Sequence, residues 1–464
     1  MKNSCFLFLL AFVIPFHVFA DGGINIHINQ VGFNTGQPKY AVIETENNLG
    51  ARLLFHLDET LSGKPAYQSF AGEPTQVNEW RPGHFFYRAD FSELNTTGEF
   101  RLVVETPAGA KAVSSSFRIG DQFLTRTSIS AILQYFRHQR AVTAAEWDAD
   151  SAVVLYGSDK TANVRGGWCD ASGDVSKYFS HLAYTNYMMP QQTPLVTWSL
   201  VNTAEAIPAL ISEWQLTDSL RAEAYWGADY MMRSLSDEGY FYMTVFSYFD
   251  KNPKARRIAG LLANSVTTSD YQCAFREGGG MAIAALARIS QWKSQGDYLP
   301  SQYLQAAERA YAHLVSNNKK YCDDGIENII DDYCALMAAT ELWIATDSVY
   351  YRDQSRMRAK HLGERFTDKG WFRSDGGNRP FWHASDAGMP IRALERYLEK
   401  ESDKDIALQT SSWIMYWFTM AGIIDTQVPN PFNYPRQLFR MGNTIRSGFF
   451  VPHENESGWW WQGE

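Results

Sequence analysis

The chain has 464 residues, 45% hydrophobic and 20% charged, which allows large cores and excludes a disordered chain. Its formal net charge of -9 argues against nucleic acid or an anionic membrane surface as partner, because both select a basic face. Aromatic residues reach 14%, a supply that sugar-binding clefts use for stacking pyranose faces and that large helical cores use for packing.

Residues 1–20 read as a secretory signal. Lys2 supplies the positive start, Phe6 to Ile14 an apolar run, and Val18-Phe19-Ala20 a small-residue end before Asp21. Cys5 precedes the apolar run and does not sit at a cleavage point, so no lipoprotein anchor is expected. No later stretch is long and uncharged enough to cross a bilayer. The mature protein is expected to be secreted or periplasmic.

Residues 21–120 read as a small β-sandwich. Ile24-Asn25-Ile26-His27-Ile28 alternates apolar and polar, and further strand-like runs lie at 40–44, 51–57, 99–105 and 112–119. Turn formers such as Asn34-Thr35-Gly36 and Pro107-Ala108-Gly109 separate them, the pattern of an immunoglobulin-like domain.

From Leu124 the periodicity becomes helical, so residues 121–464 are expected to form an α-helical domain. Nine amphipathic segments fall near 122–143, 196–214, 218–234, 276–295, 300–317, 328–346, 350–365, 385–399 and 404–422. With no strands read between them, helices are expected to pack on helices. Arg276-Glu277-Gly278-Gly279-Gly280 reads as a helix start with glycines for close packing. Asp323, Asp324, Asp331 and Asp332 read as a solvated helix start. Cys169, Cys273, Cys322 and Cys334 form no C-x-x-C pair, so neither zinc nor any other cofactor is expected. Cys322 and Cys334 would close the shortest disulfide loop, and buried thiols are the alternative.

The stretch that carries chemistry is Gly166-Gly167-Trp168-Cys169-Asp170-Ala171-Ser172-Gly173-Asp174-Val175-Ser176-Lys177-Tyr178, in a long loop between the first two helical segments. Glycine-rich flanks let two carboxylates four residues apart turn towards one point. Such a pair can hold a water and take its proton, which is half of glycoside hydrolysis. A solvated Asp/Gly turn or a calcium loop is the alternative for these residues. Trp168 either lines a cleft or wedges the loop in place.

This run resembles the Gly-Gly-Trp-Tyr-Asp-Ala-Gly-Asp-x-x-Lys-Phe signature of glycoside hydrolase family 9. Ile28-Asn29-Gln30-Val31-Gly32-Phe33, followed by Pro38-Lys39-Tyr40-Ala41-Val42, is similar to the opening of the cellulase N-terminal immunoglobulin-like domain. The resemblance implies an (α/α)6 barrel, an inverting mechanism and β-linked glycan substrates. It implies Asp174 as general base and Asp170 as the residue that helps orient the water. Two departures, the extra Ser172 and Cys169 in place of Tyr, resemble an exo-β-D-glucosaminidase subgroup that acts on chitosan oligosaccharides. Pro190-Gln191-Gln192-Thr193-Pro194 and Phe449-Phe450-Val451-Pro452-His453-Glu454-Asn455-Glu456 resemble that subgroup too.

Four further residues are candidate substrate contacts besides Trp168 and Tyr178. Trp382 and His383 precede a helix; Asp386 or Ser385 there reads as its N-cap. His453 and Glu454 lie among aromatics, suited to hydroxyl or ammonium groups or to a structural contact. The family's general acid, a Glu in an Asn-Glu pair, has no counterpart in a final helix. With that acid, three of twelve barrel helices and any cover for Trp459-Trp460-Trp461 unaccounted for, the chain is expected to be C-terminally truncated. An endo-β-1,4-glucanase, or a non-catalytic glycan-binding protein on a hydrolase scaffold, are the alternative functions.

Overall fold

The computed structural model describes residues 23–106, 109–170, 174–182, 188–189, 192–262, 266–368, 370, 372–373, 388–441, 444–448 and 459–461. The proposed signal, Trp382, His383, Ser385, Asp386 and the run from Phe449 to Glu456 lie outside the described residues. Contacts divide the chain into two compact units, one of Met1–Thr127 with Val428–Asn433, the other of Ser128–Gln427 with Tyr434–Glu464.

The first unit is an immunoglobulin-like β-sandwich. Its strands are β1 Ile24–His27, β2 Phe33–Asn34, β3 Tyr40–Thr45, β4 Leu54–Glu59, β5 Pro65–Phe70, β6 Phe85–Asp90, β7 Gly98–Glu105, β8 Lys111–Val113 and β9 Phe117–Gly120. One sheet runs β1-β3-β6; the other runs β2-β9-β7-β4-β5, with β8 on β7. Alternation sends Ile43 and Tyr87 of the first sheet and Phe55, Leu57 and Leu102 of the second into one core. Strands β5 and β6 were not legible in sequence. In β5 no residue is fully buried, so an edge strand with little apolar contrast gave no alternation to read.

The second unit is mainly helical. It contains α1 Phe123–Gln139 from Ser128 on, α2 Ala144–Ala149, α3 Thr193–Ala206, α4 Pro208–Glu213, α5 Thr217–Ser234, α6 Gly279–Ile289, α7 Pro300–Tyr321, α8 Ile329–Thr346, α9 Val349–Arg365, α10 Met389–Leu398 and α11 Lys404–Asp425. The expected segment 196–214 is two helices, because Pro208 has no N–H to donate to a continuing turn. Helices α3, α6, α8 and α10 stand side by side, backed by α5, α7, α9 and α11. The front helices explain the order. Every residue of α6 is buried; Arg288 is its one charged residue, and a helix apolar on all its other positions belongs inside. Gly280 lets α6 approach α8 closely, since a Cβ there would lie 2.7 Å from Cys334 Cβ.

Buried ion pairs set which helices are neighbours. Glu341 of α8, 1% exposed, accepts hydrogen bonds from Trp198 of α3, Arg288 of α6 and Arg396 of α10. The expectation that Asp331 and Asp332 are solvated is corrected. Asp331 is bound by Arg276, and Asp332 by Arg358 and Arg365, so both carboxylates are buried in charge-paired form. Cys169, Cys273, Cys322 and Cys334 all carry free thiols, so the Cys322–Cys334 disulfide is not formed.

The expectation of helices without intervening strands is also corrected. Lys177–Tyr178, Thr244–Phe246, Arg257–Leu262 and Val266–Thr268 form a four-stranded antiparallel sheet between helices. Strands of two to six residues are too short for periodicity to declare them. The tryptophan run forms the strand Trp459–Trp461, paired with Gln437–Met441. Among the described residues no helix is long and apolar enough to cross a membrane.

One pair on the back layer is pH-sensitive. Arg356 holds Glu401 through two bonds of 2.8 and 2.7 Å. Burial raises the Glu401 carboxyl, but hydrogen bonds from Arg356 and Tyr397 outweigh it and hold the group at about 2. A carboxyl lowered in the folded state stabilises above its unfolded value, and that contribution is lost as pH falls towards the folded one. Glu401→Gln is therefore expected to lower stability by about 1–3 kcal/mol near neutral pH. Thermal melts from neutral pH down to about 2 should show the difference shrinking. An acid-independent difference would mean that Glu401 is not held as its ionised form.

Candidate active site

The aspartate loop starts from a turn that only glycine adopts without strain. Gly166 and Gly167 have φ of 91° and 76°. Gly167 also lies flat on Tyr230, where a Cβ would be 2.9 Å from the ring. The next residues pair with the end of α1: Ala141 N–H donates to Gly167 O at 3.0 Å, and Cys169 N–H to Gln139 O at 2.7 Å. Trp168 is buried, packs on Phe136 and donates its indole N–H to Glu223 at 3.2 Å. It wedges the loop and presents its remaining surface to a cavity.

Beyond Asp170 the loop closes on itself. Asp170 N–H donates to Ser176 O at 2.9 Å. Asp174 is 8% exposed, and its Oδ1 accepts the Ser176 N–H at 2.7 Å. Its Oδ2 is buried and has no hydrogen-bond partner among the described residues. Ser176 Oγ and Ser247 Oγ are 2.9 Å apart, and the Ser247 N–H donates to Ser176 Oγ at 2.9 Å. The loop is thereby tied to the end of the strand Thr244–Phe246.

A buried charge cluster lies beneath. Asp150, fully buried after α2, accepts Lys177 Nζ at 2.8 Å on one oxygen and Arg256 Nη1 at 2.7 Å on the other. Lys177 also donates to the Val164 and Gly166 carbonyls at 2.6 and 2.9 Å, and Arg256 Nε to Val175 O at 2.7 Å. Burial pulls the Lys177 ammonium below its ordinary range, opposed by Asp150. Arg256 also reaches Glu146 at 3.6 Å and Cys169 Sγ at 3.5 Å. Burial pushes the Cys169 thiol up to about 12, so Cys169 is a neutral thiol donor to Glu146 and not a nucleophile at neutral pH.

Trp168, Asp170 and Tyr178 line one cavity of about 270 Å³, with Tyr135, Phe136 and Gln192 on its other walls. Burial pushes the Tyr178 phenol up, and Asp174 and Asp170 nearby add to the rise, so it stays a neutral hydrogen-bonding group. Of the eight residues expected at the site, Trp168, Asp170 and Tyr178 meet at this cavity, and Asp174 lies in the same loop without lining it. Trp382, His383, His453 and Glu454 lie outside the described residues. Sequence reasoning missed Asp150, Arg256 and Ser247. Arg256 is 106 positions from its carboxylate, and no periodicity links them. Among the described residues no cluster of three or more His, Cys, Asp or Glu could hold a metal.

This fold and this loop are those of a glycoside hydrolase. Residues 127–440 match the profile of glycosyl hydrolase family 9, and residues 21–108 that of the cellulase N-terminal ig-like domain. The chain belongs to glycosyl hydrolase family 9. A family 9 structure from Bacteroides ovatus is similar over 90% of this chain and 76% of its own, at 18% identity and a TM-score of 0.61. The family 9 endoglucanase J30 is similar over 88% of this chain and 75% of its own, at 18% identity and a TM-score of 0.59. No curated protein sequence matches the chain.

The cluster under the loop yields a prediction. Asp150→Asn leaves two buried cations sharing a neutral amide, and breaking a buried pair typically costs about 3–5 kcal/mol. The variant is expected to melt well below wild type and to lose the loop's order, read as faster amide exchange at Lys177 and Val175. Melting within a degree or so of wild type would remove Asp150 from this role.

Proposed function

We propose that the protein hydrolyses β-1,4-linked glycans with inversion, Asp174 acting as general base and Asp170 orienting the water. The observation that carries this reading is the division of labour within Asp174. Ser176 N–H fixes Oδ1, while the buried Oδ2 keeps its lone pairs for a proton donor. A buried carboxylate oxygen without a partner is unfavourable in a merely structural loop. In the reaction Asp174 takes a proton as the water oxygen bonds to the anomeric carbon, and the bond to the leaving oxygen breaks on the opposite face. The acid that protonates the leaving oxygen stands across that bond and is neither of these aspartates. Trp168 and Tyr178 contact the sugar from the cavity wall.

The finer reading is exo-release of glucosamine from chitosan oligosaccharides outside the cytoplasm. Cys169 supports it. The thiol meets Glu146 and Arg256 behind the loop, so the bulky phenol of the endoglucanase pattern has no counterpart here. An ammonium in place of a hydroxyl also gains a charge-assisted hydrogen bond from a carboxylate, and Asp170 lines the cavity. Export is read from the signal features of residues 1–20.

Asp174→Asn is expected to lower kcat by about 10²–10⁴-fold with KM little changed. A variant retaining more than about a tenth of wild-type kcat is not missing its base. The substrate and stereochemistry are read together by proton NMR of fresh digests of a glucosamine tetramer and of cellotetraose. The glucosamine tetramer should be cleaved faster, with the α-anomer appearing first. Initial β-anomer would reject inversion, and faster cellotetraose cleavage would select the endoglucanase reading.

A further inference from the structure

A cavity of about 450 Å³ opens where the last turns of α7 and α9 meet the first turn of α8. Asp170 lines a different cavity, and the two have no lining residue in common. Glu327, Asp332 and Glu364 line this one together with Lys319, Arg365 and Arg373. Mixed charge of this kind holds no ligand where every group is paired within the protein. Unequal pairing leaves one sign over for a ligand.

The carboxylates are paired. Asp332 accepts Arg358 Nη1 at 2.9 Å and the His361 Nδ1–H at 3.3 Å on one oxygen, and Arg365 Nε at 2.7 Å on the other. Glu327 accepts two Arg358 nitrogens at 3.0 and 3.1 Å and the Asn318 amide at 2.8 Å. Burial raises both carboxyls, but these donors outweigh it and hold them below the ordinary range. Glu364 lies 3.7 Å from Lys360. The cations are not all paired. Lys319 and Arg373 are exposed, and among the described residues neither has a carboxylate partner. Arg373 is steadied instead by the Glu364 carbonyl, which accepts its Nη2–H at 3.2 Å. An exposed lysine in the last turn of a helix needs only water and the helix dipole. Here two such cations, from separate elements, line one cavity whose acids are already taken. Ile326, 61% exposed, adds an apolar wall. Its backbone is fixed on both sides, the N–H by Asp324 at 3.0 Å and the carbonyl by Arg276.

We infer that this cavity binds a small organic acid, its oxyanion on Lys319 and Arg373 and its carbon skeleton against Ile326. A carboxylate or phosphate ester offers several acceptor oxygens to a planar guanidinium and an ammonium. The volume is that of a site for a small molecule, larger than a bare ion fills. The site is separate from the aspartate loop, so it stands or falls independently of the hydrolase reading.

The test is calorimetric titration of the full chain, at fixed ionic strength, with glucose 6-phosphate, glucuronate and neutral glucose. At least one of the two acids should bind saturably at one site, and glucose should not bind. The acid that binds identifies the recognised group as phosphate ester or carboxylate. Lys319→Gln/Arg373→Gln should weaken that binding at least about tenfold, the size of a lost hydrogen bond to a charged group. Its Tm should stay within about two degrees of wild type, since both side chains are exposed. Lys293→Gln/Lys320→Gln removes the same charge from exposed positions outside the cavity and should change Kd by no more than about twofold. Absence of binding by both acids would overturn the proposal. So would glucose binding as tightly as the acids, a Lys319/Arg373 variant of wild-type affinity, or an equal loss in the Lys293/Lys320 variant.

Discussion

Asp150 bridges Lys177 and Arg256 in the interior of the helical unit, and the geometry of the aspartate loop depends on that contact. A carboxylate with no exposure is tolerable only when both oxygens are charge-paired, and here each oxygen takes one cation. The two cations spend their other donors on the loop's backbone, at Val164, Gly166 and Val175. One buried triad therefore fixes the chain on both sides of Asp170 and Asp174. The aspartates can then occupy a glycine-bearing loop without losing definition, because the rigidity comes from beneath them.

The same logic separates support from chemistry around the site. Glu146, Glu223 and Asp150 are acidic and buried, yet each is committed to a named donor: Glu146 to Thr143 and Arg256, Glu223 to Arg140 and Trp168, Asp150 to the cation pair. Asp174 differs because one oxygen has no hydrogen-bond partner among the described residues. Burial alone therefore does not single out one of these four carboxylates; hydrogen-bonding capacity left unfilled does.

The helical scaffold repeats this use of buried charge on a larger scale. Glu341 takes donors from three other helices, and Asp332 takes two arginines from α9. Such pairs add little net stability over apolar packing, because desolvation offsets attraction. They do discriminate between packings, since any other arrangement of α3, α6, α8 and α10 would strand a charge.

The amino-acid sequence by itself determined whatever depends on neighbours within a few residues. The alternation in β1, the strand-like runs of β3 and β7, the helical period from α1 onwards and the spacing of Asp170 and Asp174 are all local, so each was legible. Local patterns could not declare β5, whose residues lack buried contrast, or two-residue strands such as Lys177–Tyr178. Nor could they tell that Asp331 and Asp332 are buried, because acidic residues at a helix start look the same with or without arginines arriving from elsewhere. Tertiary structure alone decided that Asp150 meets a lysine 27 positions away and an arginine 106 positions away. Those partners share no period or motif. Folding brings them together because a charge taken out of water must find an opposite charge, wherever in the chain that charge is carried.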